Sequence, residues 1–256
     1  MNDLYTVSGC IVSYNNVGNV KNAIESILKH TKGVNINLFV SDNGSVDGTE
    51  SVITDLFPQV EFIQNSSNIG FGAAHNKVIN IINSKYHVVI NPDIIINDDV
   101  ISKLCNYLDN NPDVVMVTPK ILYNDGTEQK LPKRKPNLKY LLARRMLLKA
   151  SLNDEYVMAD HSYDNPFDID FCTGCFFVIR TEIFKKVNGF DERYFMYFED
   201  ADLTLMVKRH GRVVFYPDVS VTHLWTRDSA KKLKYFLIHV SSMIKFLFKN
   251  SLKKER

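Results

Sequence analysis

The stretch Leu38-Phe-Val-Ser-Asp-Asn-Gly-Ser-Val-Asp-Gly48 passes from an apolar run directly into acids, amides and glycines. Leu38 to Ser41 has the composition of a buried strand, and Asp42 to Gly48 has that of a turn-rich loop. The same transition recurs where Tyr86-His-Val-Val-Ile90 runs into Asn91-Pro-Asp93, and where the opening strand from Tyr5 ends at Ile11-Val-Ser13. Between these runs the apolar spacing changes period. Val17 to His30 reads as a helix, a short helix starts at about Thr49, Val60 to Gln64 reads as a third strand, and Phe71 to Asn83 as a helix. Asn97 reads as an N-cap, with Asp98 and Asp99 in the first helical turn. This alternation predicts an α/β fold with a Rossmann-like, mostly parallel central sheet flanked by helices. In such sheets ligands bind beyond the carboxyl ends of the strands, where both acidic loops fall.

The second half has a different texture. Lys133-Arg-Lys135 and Arg144-Arg145 flank leucine-rich stretches, and Asp154 to Asp168 reads as a polar loop. An apolar strand, Phe176 to Ile179, precedes a short helix opened by Thr181. Two short strands are expected around Pro217, and a basic amphipathic helix from about Ser229. Leu233, Phe236, Leu237, Val240, Ile244 and Leu247 form its apolar stripe, and Lys231, Lys232, Lys234, Lys245, Lys249, Lys253 and Lys254 supply the charge. Such a helix suits an anionic bilayer, a neighbouring face of the domain or a second copy of the chain. The expected division is one domain over 1–228, with halves 1–119 and 120–228, followed by the helix over 229–256.

Bulk composition narrows the classes. With 256 residues and 45% hydrophobic content, the chain can bury a full core. Its formal net charge of +2 argues against a nucleic-acid binder. Four cysteines, Cys10, Cys105, Cys172 and Cys175, are too few for a disulfide scaffold, so a reducing, cytoplasmic setting is expected. Cys172-Thr-Gly-Cys175 has no second pair for zinc and is read as buried and inert. No secretory leader is expected from the N-terminal residues, and no run approaches the roughly 20 apolar residues of a membrane span.

Several constellations carry chemistry. A carboxylate at the end of a buried strand is unfavourable unless used, which favours a working Asp93. Asp47-Gly48 reads equally well as an ordinary turn. Asn68-Ile-Gly-Phe-Gly72, running on to His75 and Asn76, resembles part of a dinucleotide fingerprint. His75 replaces the third glycine and the loop follows the third strand, so a nicotinamide site is disfavoured. The segment Gly189-Phe-Asp-Glu-Arg-Tyr-Phe-Met-Tyr-Phe-Glu-Asp-Ala-Asp-Leu203 surrounds adjacent acids with aromatic rings. Such walls raise a carboxylate's proton affinity and suit a general base, whereas a capped helix start alone would explain Asp200 and Asp202. His223 ends a strand from Val219; a metal role for it requires convergence with Asp93.

Taken in order, Val12-Ser-Tyr-Asn15, Asp42 to Gly48, Asn68 to Gly72 with Asn76, Asn91-Pro-Asp93, Thr173-Gly-Cys-Phe-Phe177, Gly189-Phe-Asp-Glu192, Phe198-Glu-Asp-Ala-Asp-Leu203 and His223 resemble the family 2 glycosyltransferases, which have the A-type nucleotide-diphospho-sugar transferase fold. The resemblance covers about residues 5 to 225. It implies that Ser13, Asn15, Asp42, Asn43, Asp47, Asn68, Gly70, Gly72, Asn76 and Asn91 lie on the nucleotide and donor side. Asp93 and His223 would hold a divalent cation, Mn2+ or Mg2+, with Asn91 replacing the first acid of the usual Asp-x-Asp motif. Asp200 would be the catalytic base, Glu199 the alternate, and Gly174, Asp191 and Trp225 the acceptor side. The implied reaction is an inverting, metal-dependent sugar transfer in bacterial surface-polysaccharide synthesis (O-antigen, capsule or cell wall). The segment from Gly189 onward is most similar to rhamnosyltransferases, making dTDP-L-rhamnose the leading donor; galactofuranose, glucose, galactose and N-acetylhexosamine transferases share the motifs. The implied acceptor is a glycan or lipid-linked glycan at the inner face of the cell membrane. A pyrophosphorylase would need a basic glycine-rich loop after the first strand, which Ser13 to Gly18 lacks.

Overall fold

The computed structural model describes residues 6–140, 150–224 and 233–251. Strand β1 (Thr6–Ser13) is followed by α1 (Val17–His30), β2 (Asn35–Asp42), α2 (Thr49–Leu56), β3 (Glu61–Gln64), α3 (Phe71–Asn76), β4 (Tyr86–Ile90), β5 (Ile94–Ile96), α4 (Val100–Asn110) and β6 (Val114–Leu122). Then come α5 (Ala150–Tyr156), β7 (Phe167–Asp168), β8 (Phe176–Arg180), α6 (Thr181–Lys186), α7 (Glu199–Val207), β9 (Arg212–His223) and α8 (Leu233–Ser251). One sheet runs in the order β3-β2-β1-β4-β8-β6-β9-β5, with β7 on β9.

The first four strands are parallel, as their alternation with helices requires. The other half is mixed: β8 runs antiparallel to both β4 and β6, while β6 and β9 are parallel. The longest ladders, β1–β2 and β6–β9, are parallel, as expected, and the antiparallel pairs are the shorter ones. Both faces are covered. Val7, Ile11, Val88 and Ile90 pack with Val20 of α1 and Leu104 of α4, whereas Cys10, Val89 and Phe177 pack with Val78, Phe184 and Leu203. Burial on both faces explains why these strands read as continuous apolar runs.

Several boundaries differ from the sequence reading. The N-cap position of α4 is Asp99, not Asn97, and the Asp99 carboxylate accepts from the Lys32 and Gly33 amides and the Ser102 hydroxyl instead of capping a helix amide. Helix α3 stops at Asn76, and residues to Ile81 follow as tight turns with i→i−3 bonds. Tyr156 closes a helix inside the expected loop, and Phe167–Asp168 form an edge strand there. Around Pro217 there is a single strand, not two. The β6–β9 register jumps between Pro119 and Lys120, so the prolines lie at an irregularity that needs no donor from them. All four cysteines are free and buried, in agreement with the sequence reading, and burial pushes the Cys175 thiol up to about 12.

Helix α8 packs against the segment preceding α7. Phe246 is fully buried against Phe198, and Ser242 donates to the Met196 carbonyl at 2.8 Å. Lys249 bridges Asp191 and Asp202 at 2.6 Å each. The opposite face carries Leu233, Leu237, Ile244 and Phe248, all more than half exposed. Positions i, i+4, i+11 and i+15 share one side of a helix. Phe236, Val240 and Leu247 are only partly buried and border that stripe. Lys231, Lys232, Lys253 and Lys254 lie outside the described residues.

Candidate functional site

The carboxyl ends of β1, β2 and β4 open into a cleft of about 920 Å³. Its wall includes Ser13, Asn43, Asn68, Gly70, Asn91, Asp93, Gly174, Glu199, Asp200 and His223, which the sequence singled out from loops far apart. Parallel register sets Ser13 beside Asp42, and the Ser13 hydroxyl donates to Asp42 Oδ1 at 2.6 Å. Asp42 is buried behind the wall and also accepts from the Ser45 hydroxyl and amide at 2.6 and 2.7 Å. Asn43 donates to the Gly70 carbonyl at 3.2 Å, tying the second and third loops together.

Other singled-out residues hold this frame. Asn15 accepts from the Val46 amide at 2.9 Å while its own amide donates to Ser45 Oγ. Asp47 accepts from the Val17 amide at 2.9 Å and from Thr49, joining the starts of α1 and α2. Its slight burial favours the proton, but the Thr49 and Val17 bonds outweigh that and lower its pKa. Asn76 clamps Phe190, donating to its carbonyl at 2.8 Å and accepting from its amide at 2.9 Å. Gly70 and Gly72 are required by close approach: a Cβ on Gly70 would sit 2.3 Å from the Phe195 carbonyl oxygen, and one on Gly72 2.8 Å from Phe190. The glycines thus admit the protein's own aromatic segment. Asp191 is engaged with Arg193 and Lys249, which together outweigh desolvation and hold its carboxyl well below the usual range. Trp225 lies outside the described residues.

Asp93 and His223 converge. Antiparallel pairing sets Ile94 opposite His223, and Asp93 Oδ1 lies 3.3 Å from His223 Nε2. The Asn91 amide nitrogen is 3.4 Å from the same ring nitrogen, and the Asn91 backbone amide donates to the Cys175 carbonyl at 2.8 Å. A carboxylate oxygen and an imidazole nitrogen facing each other across this gap suit a divalent cation with nitrogen and oxygen ligands. Among the described residues, no group of three or more histidine, cysteine, aspartate or glutamate side chains forms a metal cage.

Asp200 and Glu199 begin α7. The two residues before them, Tyr197 and Phe198, have φ of 71° and 67°, a left-handed conformation that costs about 1–3 kcal/mol per residue. Phe198 keeps it because its ring is held by Phe246 and His239 of α8. The turn sends Asp200 into the cleft wall, where its carboxylate accepts from the Gly174 and Ala201 amides at 3.0 and 2.8 Å. Burial raises the Asp200 pKa against the pull of these bonds and of Lys133. Burial first, and then Asp200, raise the Glu199 pKa as well, and its Oε2 has no hydrogen-bond partner among the described residues. Of the two neighbouring acids, only Asp200 has backbone amides directed at its carboxylate.

The sequence reading assigned no site role to other parts of the wall: Tyr14 and Phe71, which lie within quoted motifs, Asn16, Asn19 and, from α8, Lys234, Tyr235 and Ile238. It also missed Gln129, which is buried beside His223. The only sequence signal for Gln129 was the Asp125-Gly126 turn just before it.

The family model described as "Glycosyl transferase family 2" matches residues 8–187, which begin within β1 and include Asp93, Gly174 and α6. The chain belongs to this family. A second model, described as "N-terminal domain of galactosyltransferase", matches residues 156–226 of this family 2 chain, where Asp200 and His223 lie. The N-acetylglucosaminyl-diphospho-decaprenol L-rhamnosyltransferase of Mycobacterium tuberculosis is 26% identical over 203 residues, which is 73% of this chain and 66% of that protein. The rhamnosyltransferase WbbL of Escherichia coli is 27% identical over 190 residues, 70% of each chain. This chain thus spans about two thirds of these relatives' length. Among solved structures, GalNAc-T7 with UDP, GalNAc and Mn2+ superposes with a TM-score of 0.64 at 15% identity, over 88% of this chain and 44% of that one. Staphylococcus aureus TarS with UDP gives 0.62 at 15% identity, over 87% and 61%. These two likenesses establish the shared fold.

Proposed function

We propose that the cleft transfers a sugar from a nucleotide diphosphate onto an acceptor hydroxyl with inversion at the anomeric carbon. The observation that carries this reading is the meeting, in one cleft, of the Ser13–Asp42 strand ends, the Asp93–His223 pair and the Asp200 carboxylate. Ser13, Asn43, Asn68 and Gly70 would receive the base and ribose, with Asp42 fixing Ser13 from behind. Asp93 and His223 would hold Mn2+ or Mg2+ together with diphosphate oxygens; the ion would neutralise charge on the departing diphosphate. Asp200, held by two backbone amides, takes the proton of the acceptor hydroxyl. The acceptor oxygen bonds to the anomeric carbon as the bond to the diphosphate breaks, and that electron pair leaves with the nucleotide. Glu199, whose carboxyl burial pushes toward the neutral form, would spare the site a second negative charge beside the base.

The donor we favour is dTDP-L-rhamnose, supported by the rhamnosyltransferase names of two relatives. The acceptor we favour is lipid-linked, as the mycobacterial relative's name states for that protein. Among the described residues no helix is long and apolar enough to cross a membrane. The exposed stripe of α8 would instead lie on an anionic bilayer, with Lys234 and Lys245 beside it and with Lys234, Tyr235 and Ile238 reaching the cleft.

The test is nucleotide release from a panel of TDP-, UDP- and GDP-sugars with Mn2+, comparing the native chain with Asp93→Ala. Release from TDP-rhamnose that is lost in the variant and without metal supports the reading. Release that survives both changes overturns the role of Asp93 and the cation.

A further inference from the structure

Gln129 occupies an unusual position. The Asp125-Gly126 turn, with Gly126 at φ 82° and Asp125 accepting from Thr127, reverses the chain after β6. The returning residues pair back on β6, so the Gln129 amide donates to the Ile121 carbonyl at 2.8 Å and its side chain is buried beside the end of β9. The side-chain nitrogen donates to the Leu122 carbonyl at 3.1 Å and to the His223 carbonyl at 3.0 Å. The side-chain oxygen lies 3.2 Å from His223 Nδ1.

These contacts allow one arrangement. Carbonyl oxygens only accept, so the NH2 end must face Leu122 and His223; a flipped amide would place oxygen against two oxygens. With both amide hydrogens so committed, the Gln129 oxygen can only accept, and Nδ1 must carry the ring proton. In neutral His223 the lone pair is then on Nε2, the nitrogen 3.3 Å from Asp93 Oδ1. The opposite tautomer would put a hydrogen on Nε2 and let Asp93 take it up as a hydrogen bond, closing the pair to a cation.

The geometry points to Gln129 as the positioning residue that fixes the His223 tautomer and so aims its metal-binding lone pair toward Asp93. This rests on the proposed cation role of the Asp93–His223 pair and extends it to a residue that touches neither substrate nor metal. Outer partners of this kind typically change metal affinity about 10–100-fold when removed.

The test uses the 15N-labelled chain, with His223→Asn identifying the ring signals of His223 among the seven histidines. Long-range 1H–15N spectra of the metal-free protein report which ring nitrogen is protonated. Stepwise addition of Mn2+ alone then reports binding through broadening of those signals. The native chain is expected to show the Nδ1–H form. Gln129→Leu should shift toward the Nε2–H form and require about 10–100-fold more Mn2+ for equal broadening. Gln129→Met, of similar volume and without a strong acceptor for Nδ1, should behave like Gln129→Leu and is the second variant should Leu fail to fold. An Nε2–H form in the native protein, or unchanged Mn2+ broadening in folded Gln129→Leu, overturns the inference. Native His223 signals that ignore Mn2+ would remove the role as well, and sugar transfer would then be judged separately by nucleotide release.

Discussion

Phe246→Ala should damage catalysis through a residue remote from the chemistry. Phe246 is fully buried, and truncation of a buried phenylalanine to alanine typically costs about 3–5 kcal/mol. Its ring lies 5.3 Å from that of Phe198, centroid to centroid, and Phe198 and Tyr197 are the two left-handed residues before Glu199 and Asp200. Together they store roughly 2–6 kcal/mol of backbone strain, at about 1–3 kcal/mol each. The packing lost in the variant is therefore comparable with the strain it restrains. Release of the turn should displace Asp200 from the Gly174 amide, while Ser13 and Asp42, on the other strand ends, stay in place. The expected result is a turnover number reduced more than ten-fold with nearly unchanged affinity for the nucleotide, and urea unfolding lowered by about 3 kcal/mol or more. Phe248→Ala, on the exposed side of the same helix, is the control and should stay within about 0.5 kcal/mol of native. Native-like turnover and stability in Phe246→Ala would refute the claim that α8 holds the catalytic turn.

Two further outcomes follow from the charges and surfaces. Glu199 has a folded pKa raised well above 4.5, so between the unfolded and folded values the native state binds more protons and stability falls as pH rises. Glu199→Gln should lack this loss, and urea midpoints should show its advantage over native growing from pH 4.5 upward; a constant difference would count against a protonated Glu199. Native protein should sediment with anionic liposomes at low salt, and Leu237→Ser with Phe248→Ser should abolish this without altering nucleotide release; sedimentation unaffected by the pair would rule out the α8 stripe.

The parts of this molecule legible in sequence are those set by local pattern. Helix α1 runs from Val17 to His30 as the apolar spacing predicts, and strand ends at Ser13, Asp42 and Ile90 fall where apolar runs meet polar loops. Parallel strands align such ends, which is why residues as distant as Ser13 and Asp93 were recognisable as neighbours of one cleft. Long-range pairing was not legible. The antiparallel insertion of β8 between β4 and β6, and the passage of β9 through Pro217, depend on partners many residues away. The same limit hid Gln129, whose place beside His223 is set by a hairpin register rather than by a motif. It also hid the partners of the other acids: the carboxylates of Asp42, Asp47 and Asp191 are held by Ser13, Val17 and Lys249, contacts that no local motif specifies.

The central claim is that one cleft both holds the donor and supplies the base from Asp200. The most direct test is Asp200→Asn, which keeps the shape while removing the base. Donor affinity, measured by titration with the TDP-sugar that the native chain turns over, should match native, and acceptor-dependent transfer should fall by about 10²–10⁴-fold. Transfer near the native rate in a variant that still binds donor would contradict the account.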